Sequence, residues 1–216
     1  GLRDNGIITG FITAMDLYSG TILLVYLLLK LVVRWGAFTI EAAALTALGT
    51  AYVSLIRFAV VLPPPVPVEQ ITWYLLFMVA ANKGSDMAAY VVGKLFGRNK
   101  MAPRLSPNKT WEGGIAGAVG GTAAAWACLR WTPLWETYAF VPEGYLLLFA
   151  LSVTIASQFG DLVESAFKRW VGVKDSGTLI PEFGGILDMA DSFLVSLPVA
   201  HLLSYYFCQF FWIPPK

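Results

Sequence analysis

Long apolar segments alternate with short polar ones along most of the chain. A helix needs about 20 predominantly apolar residues to cross the hydrocarbon of a bilayer, and segments of this kind recur along the sequence. The predicted spans are residues 17–35, 37–61, 71–96, 112–131, 144–163 and 186–212. The pattern therefore predicts an all-α protein, a polytopic integral membrane helical bundle of about six spans.

The segments between the spans differ in charge. Residues 62–70 and 132–143 contain no lysine or arginine, and the second of them places Trp135 and Tyr138 where an interfacial aromatic belt would lie. By contrast, residues 94–109 and 168–174 are rich in both basic types. Because cytoplasmic loops carry an excess of Lys and Arg, we expect the two basic segments on the cytoplasmic side of a membrane.

The composition supports a membrane protein. In the 216 residues, 57% are hydrophobic and 13% are charged, whereas soluble domains have about 25% charged residues. The net charge of +1 predicts no nucleic-acid partner. Cys128 and Cys208 lie in apolar runs and predict neither a disulfide nor a metal cluster. We expect one membrane domain over residues 1–216, and the start at Gly1 without a methionine suggests a fragment that has lost upstream spans.

A polar cluster interrupts the third predicted span. Asn82, Asp86 and Tyr90 are spaced four residues apart and are therefore expected on one helical face. A carboxylate at the centre of a membrane helix costs about 2.5–3.5 kcal/mol on insertion scales, so it normally faces a bundle interior or a wet cavity. Asp86 is thus a candidate functional residue, with a structural hydrogen-bonded patch as the alternative.

Two further acidic clusters lie at the ends of predicted spans. Asp161 and Glu164 begin a polar stripe that continues to Ser165 and Lys168, while Asp188 and Asp191 project from one helical turn. Carboxylates without histidine or thiolate partners suit a hard cation such as Mg²⁺. Either cluster alone could be a solvated helix end, but both at one membrane face indicate a metal centre.

The polar segments beside these carboxylates suit phosphate binding. Residues 104–114 and 168–177 combine Lys and Arg with Ser, Thr and Gly, a chemistry that holds phosphates beside metal ions. Gly184 and Gly185 precede Asp188, where a helix N-terminus would present free N–H groups to an anion. Neither segment has the spacing of a P-loop, which argues against an ordinary ATPase. Basic loops that only fix the topology are the alternative.

Residues 160–192 resemble the hallmark segment of bacterial phosphatidate cytidylyltransferases, also called CDP-diacylglycerol synthases. That pattern reads S-x-x-K-R, four residues, K-D, then P-x-H-G-G-x-x-D-R-x-D. Residues 86–113 are also similar to the family, with its aspartate, its G-[KR]-x-x-G element and its S-P-x-K-T-W-E-G element. The resemblance covers residues 71–212. The hallmark residues that match are Ser165, Lys168, Arg169, Lys174, Asp175, Pro181, Gly184, Gly185, Asp188 and Asp191.

Two positions depart from the family pattern. Phe183 replaces the usual histidine, and Met189 replaces the arginine between the two aspartates. These changes leave two interpretations open, a divergent active enzyme and a relative that has lost activity. Every carboxylate and lysine of the pattern is present, which favours the active enzyme.

The resemblance implies that the chain condenses CTP with phosphatidic acid, a membrane lipid, to give CDP-diacylglycerol and pyrophosphate in phospholipid biosynthesis. It implies Mg²⁺, alone or with a second cation. From the residues we expect Asp161 and Asp188 to hold this metal centre, with Asp191 and Asp86 as further ligands or as partners of the ligands. The resemblance also implies a homodimer in the bacterial inner membrane with the site facing the cytoplasm. The expected catalytic residues are Lys168, Arg169, Lys174, Asp175 and Asp191. The expected substrate-binding residues are Asp86, Ser106, Lys109, Thr110, Ser165, Gly184 and Gly185.

Other interpretations come from different functional classes. An ion-coupled transporter would also have intramembrane carboxylates and a broken span, but those charges should lie near the bilayer midplane. An inactive relative could serve as an assembly or lipid-binding subunit. Glycines recur every four residues at Gly113, Gly117 and Gly121, and this face is expected to serve either a dimer interface or internal helix packing.

Overall fold

The structure is a computed structural model that describes residues 65–103, 105–171 and 186–211, with side chains at all of them except 171 and 186–190. These residues belong to the second of two compact units, residues 62–216. The predicted spans 17–35 and 37–61 lie outside the described residues. A single domain over residues 1–216 therefore stays a prediction.

Helices dominate the described part of the chain. A short 3-10 turn, Val68–Gln70, leads into the first long helix. The helices, in chain order, are α1 (Ile71–Phe96), α2 (Trp111–Trp131), α3 (Leu134–Thr137), α4 (Glu143–Val171) and α5 (Ile186–Phe211). Between α1 and α2 lies an antiparallel hairpin of β1 (Lys100–Ala102) and β2 (Ser106–Thr110).

The four long helices coincide with four of the predicted spans. The segments Glu143–Trp170 and Asp191–Phe211 are each long and apolar enough to cross a membrane. Together with the 57% hydrophobic composition, they indicate a membrane protein. The prediction of an α-helical fold is confirmed for the bulk of the described residues, and the hairpin is an addition that the apolar pattern did not predict.

The glycine-rich face of α2 packs inside the molecule. Gly113, Gly117 and Gly121 are buried. A Cβ atom added to Gly117 would lie 3.0 Å from the Ser85 carbonyl oxygen, and one added to Gly121 would lie 2.7 Å from that of Ala81. Glycine thus allows α1 and α2 to pack backbone against backbone, as small residues do in membrane bundles. Internal packing, one of the two expected roles, is confirmed for this face.

The connection between α2 and α4 is fixed by a buried tyrosine. Tyr138 is fully buried, and its hydroxyl lies 2.8 Å from Ser204 Oγ on α5. Burial raises the pKa of Tyr138, so the phenol stays neutral. Its ring also packs on Phe149 of α4. The ring thus fills the core and its hydroxyl has a buried partner, while the interfacial depth of Tyr138 stays a prediction.

Candidate active site

Three carboxylates converge where α4 packs against α5. Asp161 and Glu164 come from α4 and Asp191 comes from α5, and their ligand atoms all lie within 4.8 Å of one another. The two residues on α4 are three positions apart, so they project from the same side of the helix. One turn of α4 and one turn of α5 thus supply all three carboxylates of the cluster.

Gly160 allows the two helices to approach closely at this point. A Cβ atom added there would lie 2.7 Å from the backbone oxygen of Asp191 and 3.3 Å from Ser192 Cα. Real Cβ atoms do not lie so close to a backbone atom, so a larger residue would push α5 away. The pair Gly160–Asp161 therefore combines a close helix contact with a carboxylate directed at that contact.

Two of the three carboxylates are buried, and the cluster has cationic neighbours. Glu164 is 1% exposed and Asp191 is 5% exposed. Lys168 Nζ lies 2.6 Å from a Glu164 oxygen, and Lys109 forms an ion pair with Asp161. Buried like charges repel one another and are stable only when they are compensated. The all-oxygen donor set suits a hard divalent cation, which would add to the compensation by the two lysines.

A cavity of about 600 Å³ opens beside Asp161. Its volume lies within the range of about 300–1,000 Å³ that is usual for small-molecule sites. It lies among α1, the hairpin, α2 and α4. Its polar lining includes three lysines, two serines, two amide side chains and two carboxylates: Lys94, Lys100, Lys109, Ser85, Ser106, Asn108, Gln158, Asp86 and Asp161. The cavity can therefore accept an anionic ligand and bring it to the carboxylates.

The hairpin is held over the cavity by its flanking residues. The Asn99 backbone N–H and its side-chain amide donate to the Glu112 carboxylate, at 3.2 and 2.7 Å. The Thr110 hydroxyl caps α2 by accepting a hydrogen bond from the Gly113 N–H at 3.2 Å. These contacts connect both ends of the hairpin to α2 and position Lys109 towards Asp161.

The structure brings most of the described candidate residues to one end of the bundle. The Arg169 Nε donates to the Leu105 carbonyl at 3.3 Å, so the end of α4 contacts the hairpin. Ser165 follows Glu164 on α4 and is half-buried. The predicted substrate-binding residues that line the cavity are Asp86, Ser106, Lys109 and Thr110.

The predicted polar face of α1 is divided in the structure. Asn82 is fully buried and its amide nitrogen donates to the Met78 carbonyl, whereas the Asp86 side chain is 44% exposed and lies 3.2 Å from Lys83 Nζ. Tyr90 is 65% exposed. The reason is that residues four apart differ by about 40° around an α-helix, so the three positions turn from the core towards the cavity and its rim. Asp86 does not join the three carboxylates.

Several predicted site residues lie outside the described part of the chain. This group holds Lys174, Asp175, Phe183, Gly184 and Gly185, together with the side chains of Asp188 and Met189. The predicted metal pair of Asp161 and Asp188 thus stays a prediction. The structure places Asp161 beside Asp191, which was expected both as a catalytic residue and as a further metal ligand.

Two residues of the site were not assigned a role from the sequence. Glu164 stood within the predicted polar stripe, and its spacing from Asp161 was the signal that could have identified it as a ligand. Gln158 lines the cavity one turn before Asp161, and only the packing of α1 and α2 around it reveals its position.

The fold and site together define a class. Clustered carboxylates for a divalent cation, beside a lysine-lined cavity in an apolar helical protein, are typical of membrane enzymes that transfer a phosphate-containing group. The match to a family model is more specific. The chain belongs to the cytidylyltransferase family, whose model matches residues 6–207.

Curated relatives carry a more specific name. The chain is 39% identical over 130 residues to a phosphatidate cytidylyltransferase of Chlamydia pneumoniae, covering 60% of the chain and 42% of the relative. It is 41% identical over 132 residues to that of Bacillus subtilis, covering 60% and 46%, and 38% identical over 136 residues to that of Brucella suis, covering 62% and 48%. The chain spans about half the length of these relatives. The family resemblance predicted from residues 160–192 is confirmed.

Proposed function

We propose that the chain is a phosphatidate cytidylyltransferase, which condenses CTP with phosphatidic acid to CDP-diacylglycerol and pyrophosphate. The observation that carries this proposal is the convergence of Asp161, Glu164 and Asp191 beside a lysine-lined cavity. The membership in the cytidylyltransferase family and the names of the relatives support it. This reaction is a step of phospholipid biosynthesis.

The carboxylate cluster fits Mg²⁺ because every donor is an oxygen and the three side chains converge from two helices. Asp161, Glu164 and Asp191 would hold the cation, and Asp188 is the further ligand predicted from the sequence. When bound, the cation would offset charge on the phosphates and on the leaving pyrophosphate.

The attacking group needs no general base. Phosphatidic acid carries a phosphate monoester, whose second pKa is about 6, so it is already an anion at neutral pH. One of its oxygens forms a bond to the α-phosphorus of CTP as the bond from that phosphorus to the β-phosphate bridging oxygen breaks. Pyrophosphate leaves with the electron pair, and no proton transfer is required.

The residues of the cavity bring the two anions together. Lys94, Lys100 and Lys109 line it and supply fixed positive charge, which offsets the repulsion between the substrates. Ser106 and Thr110 are the polar groups expected to close over the nucleotide. Lys168 is held beside the cluster through Glu164, where it offsets negative charge. Lys174 and Asp175, which were predicted from the sequence and lie outside the described residues, would complete the phosphate site.

The outer surface of α1 suits a lipid substrate. Met87, Val91 and Leu95 recur every four residues and are 70%, 51% and 68% exposed. The neighbouring Tyr90 and Lys94 line the cavity. Phosphatidic acid can therefore place its phosphate in the cavity while its acyl chains stay in the membrane.

The charge distribution supports an orientation. The hairpin with Lys100 and Lys109 meets the end of α4 with Arg169, so basic residues from two segments lie at one end of the bundle. By the positive-inside rule this end faces the cytoplasm, in the inner membrane of a bacterium. The resemblance adds a homodimer to the proposal.

Pyrophosphate release tests the proposed reaction. Purified protein in phosphatidate-containing vesicles should release pyrophosphate only when CTP, phosphatidate and Mg²⁺ are all present, and ATP should not replace CTP. Release without phosphatidate would indicate a different reaction. Movement of a solute without nucleotide turnover would instead support an ion-coupled transporter.

A further inference from the structure

Gln158 is a polar residue of the cavity wall that the proposed reaction does not use. It lies on α4, one turn before Asp161, and both residues line the cavity. Its amide nitrogen donates to Ser85 Oγ at 3.0 Å and to the Gly114 carbonyl at 3.1 Å. The side chain therefore connects α4 to both α1 and α2, and two hydrogen bonds hold its amide plane in place.

These partners determine which end of the amide is available. A backbone carbonyl can only accept, so Gly114 must face the nitrogen of Gln158 and not its oxygen. The two N–H groups are used by Ser85 and Gly114. Within the described parts of the chain, Gln158 Oε1 accepts no hydrogen bond. This oxygen is therefore the acceptor that Gln158 can offer to a ligand in the cavity.

Charged and neutral groups of the cavity suit different parts of a bound nucleotide. Lys94, Lys100 and Lys109 suit the phosphates, which are anionic, and Asp161 belongs to the carboxylate cluster. A nucleobase is neutral and needs neutral hydrogen-bonding groups. Gln158 supplies such a group in the same cavity. The cavity volume of about 600 Å³ is sufficient for a nucleotide.

We infer that Gln158 is a specificity-determining residue that selects cytosine through its side-chain carbonyl, with Ser85 as a positioning residue for the amide. This inference rests on the proposed function. Cytosine has an amino donor at the position where uracil has a carbonyl acceptor. The Gln158 oxygen accepts a hydrogen bond from that amino group, whereas uracil would oppose it with a second acceptor. Sites built to hydrogen-bond a substrate group discriminate strongly against analogues that lack it.

The test compares CTP with UTP. Purified protein in phosphatidate vesicles is assayed for kcat/KM with each nucleotide, as wild type and as Gln158→Met. We expect the ratio of kcat/KM for CTP to kcat/KM for UTP to fall about tenfold in Gln158→Met, the size of effect expected for one hydrogen bond. The fall should come mainly from a lower kcat/KM for CTP. The matched control is Gln209→Met. Gln209 is exposed on α5 and bonds Tyr205, so its substitution should leave the ratio unchanged.

A second variant keeps the inference testable if Gln158→Met does not fold. Ser85→Ala removes one of the two bonds that orient the amide while leaving Gln158 in place, so the ratio should fall by a smaller factor. A ratio equal to that of wild type in the folded variants, or equal losses for both nucleotides, would overturn the assignment. Failure of the wild type to use either nucleotide would contradict the proposed function itself, whatever the variants do.

Discussion

At the scale of single residues, the site depends on a few short-range relations. Asp161 and Glu164 share a helical face, and Gly160 lets Asp191 reach them from the next helix. The sequence predicted both aspartates, because Asp191 belongs to the family motif and Asp161 begins the polar stripe of its helix. It gave no role to Glu164, whose importance follows from its burial and from its distance to the other carboxylates, and these depend on the packing of two helices.

Glu164→Gln tests the third carboxylate. The variant keeps the shape of the side chain but removes its charge, which weakens a cation site and removes the ion pair between Glu164 and Lys168. We expect the Mg²⁺ concentration for half-maximal activity to rise about 10- to 100-fold, the usual cost of a weakened metal shell. Glu143→Gln, at the other end of the same helix, is the control. An unchanged Mg²⁺ dependence in Glu164→Gln would remove this residue from the site.

Lys109 provides a second test at this scale. It pairs with Asp161 and lines the cavity, so Lys109→Met removes a cation from both the carboxylate cluster and the nucleotide. Bonds to charged groups contribute about 1.5–3 kcal/mol, so we expect kcat/KM for CTP to fall about 10- to 100-fold. Lys109→Arg should retain part of the activity. Arg130→Met, at the far end of α2 and packed on Trp135, should behave like wild type; a Lys109→Met variant that does the same would contradict the role.

At the scale of elements, helix contacts through glycine set the geometry of the site. The backbones of α1 and α2 meet along Gly117 and Gly121, and those of α4 and α5 meet at Gly160. The sequence predicted the long helices closely because their apolar runs are long and their ends are polar. It did not predict the hairpin, because the pairing of residues 100–110 depends on contacts with Asn99 and Glu112 and not on an alternating apolar pattern.

Gly160→Ala tests the close helix contact. The added methyl group would meet the Asp191 backbone, so α5 must move away and Asp191 would separate from Asp161. Overpacking of this kind costs about 1–3 kcal/mol, and we expect a lower thermal unfolding midpoint together with at least tenfold lower activity.

The control for this substitution lies on the same helix. Gly144→Ala places a methyl group where no atom lies within 4 Å, and alanine is the better helix former, so both stability and activity should be retained. Wild-type activity in Gly160→Ala would show that the approach of α4 to α5 is not needed for the reaction.

At the scale of the whole molecule, apolar surface and charge have separate places. In the described part of the chain, apolar side chains are exposed along the long helices, while most lysines and arginines lie around the hairpin and the end of α4. This arrangement follows from composition and from the positive-inside rule, which explains why the sequence was sufficient to predict a membrane protein. The sequence alone could not predict which part of each helix faces lipid. It also could not predict the partner of each buried polar group, because both depend on how the helices pack.

The departures from the family pattern are also tested on the whole protein. Successive positions of an α-helix are about 100° apart, so the sequence predicts that the carboxylates at 188 and 191 keep their orientation without the arginine that Met189 replaces. We expect the chain as it stands to be active and Asp188→Asn to be severely impaired. Activity that appears only in Met189→Arg would show that this chain had lost its chemistry.

The most direct measurement of the central claim is the transfer of labelled phosphorus from CTP to lipid. Purified protein in phosphatidate-containing vesicles is given Mg²⁺ and CTP labelled at its α-phosphate, and the label in the extracted lipid is counted for wild type and for Asp191→Asn. The account predicts labelled CDP-diacylglycerol with the wild type and at least a hundredfold less with Asp191→Asn, on the order of the loss when a main source of electrostatic stabilisation is removed. Equal labelling by the two proteins, or no label in lipid with either, would contradict it.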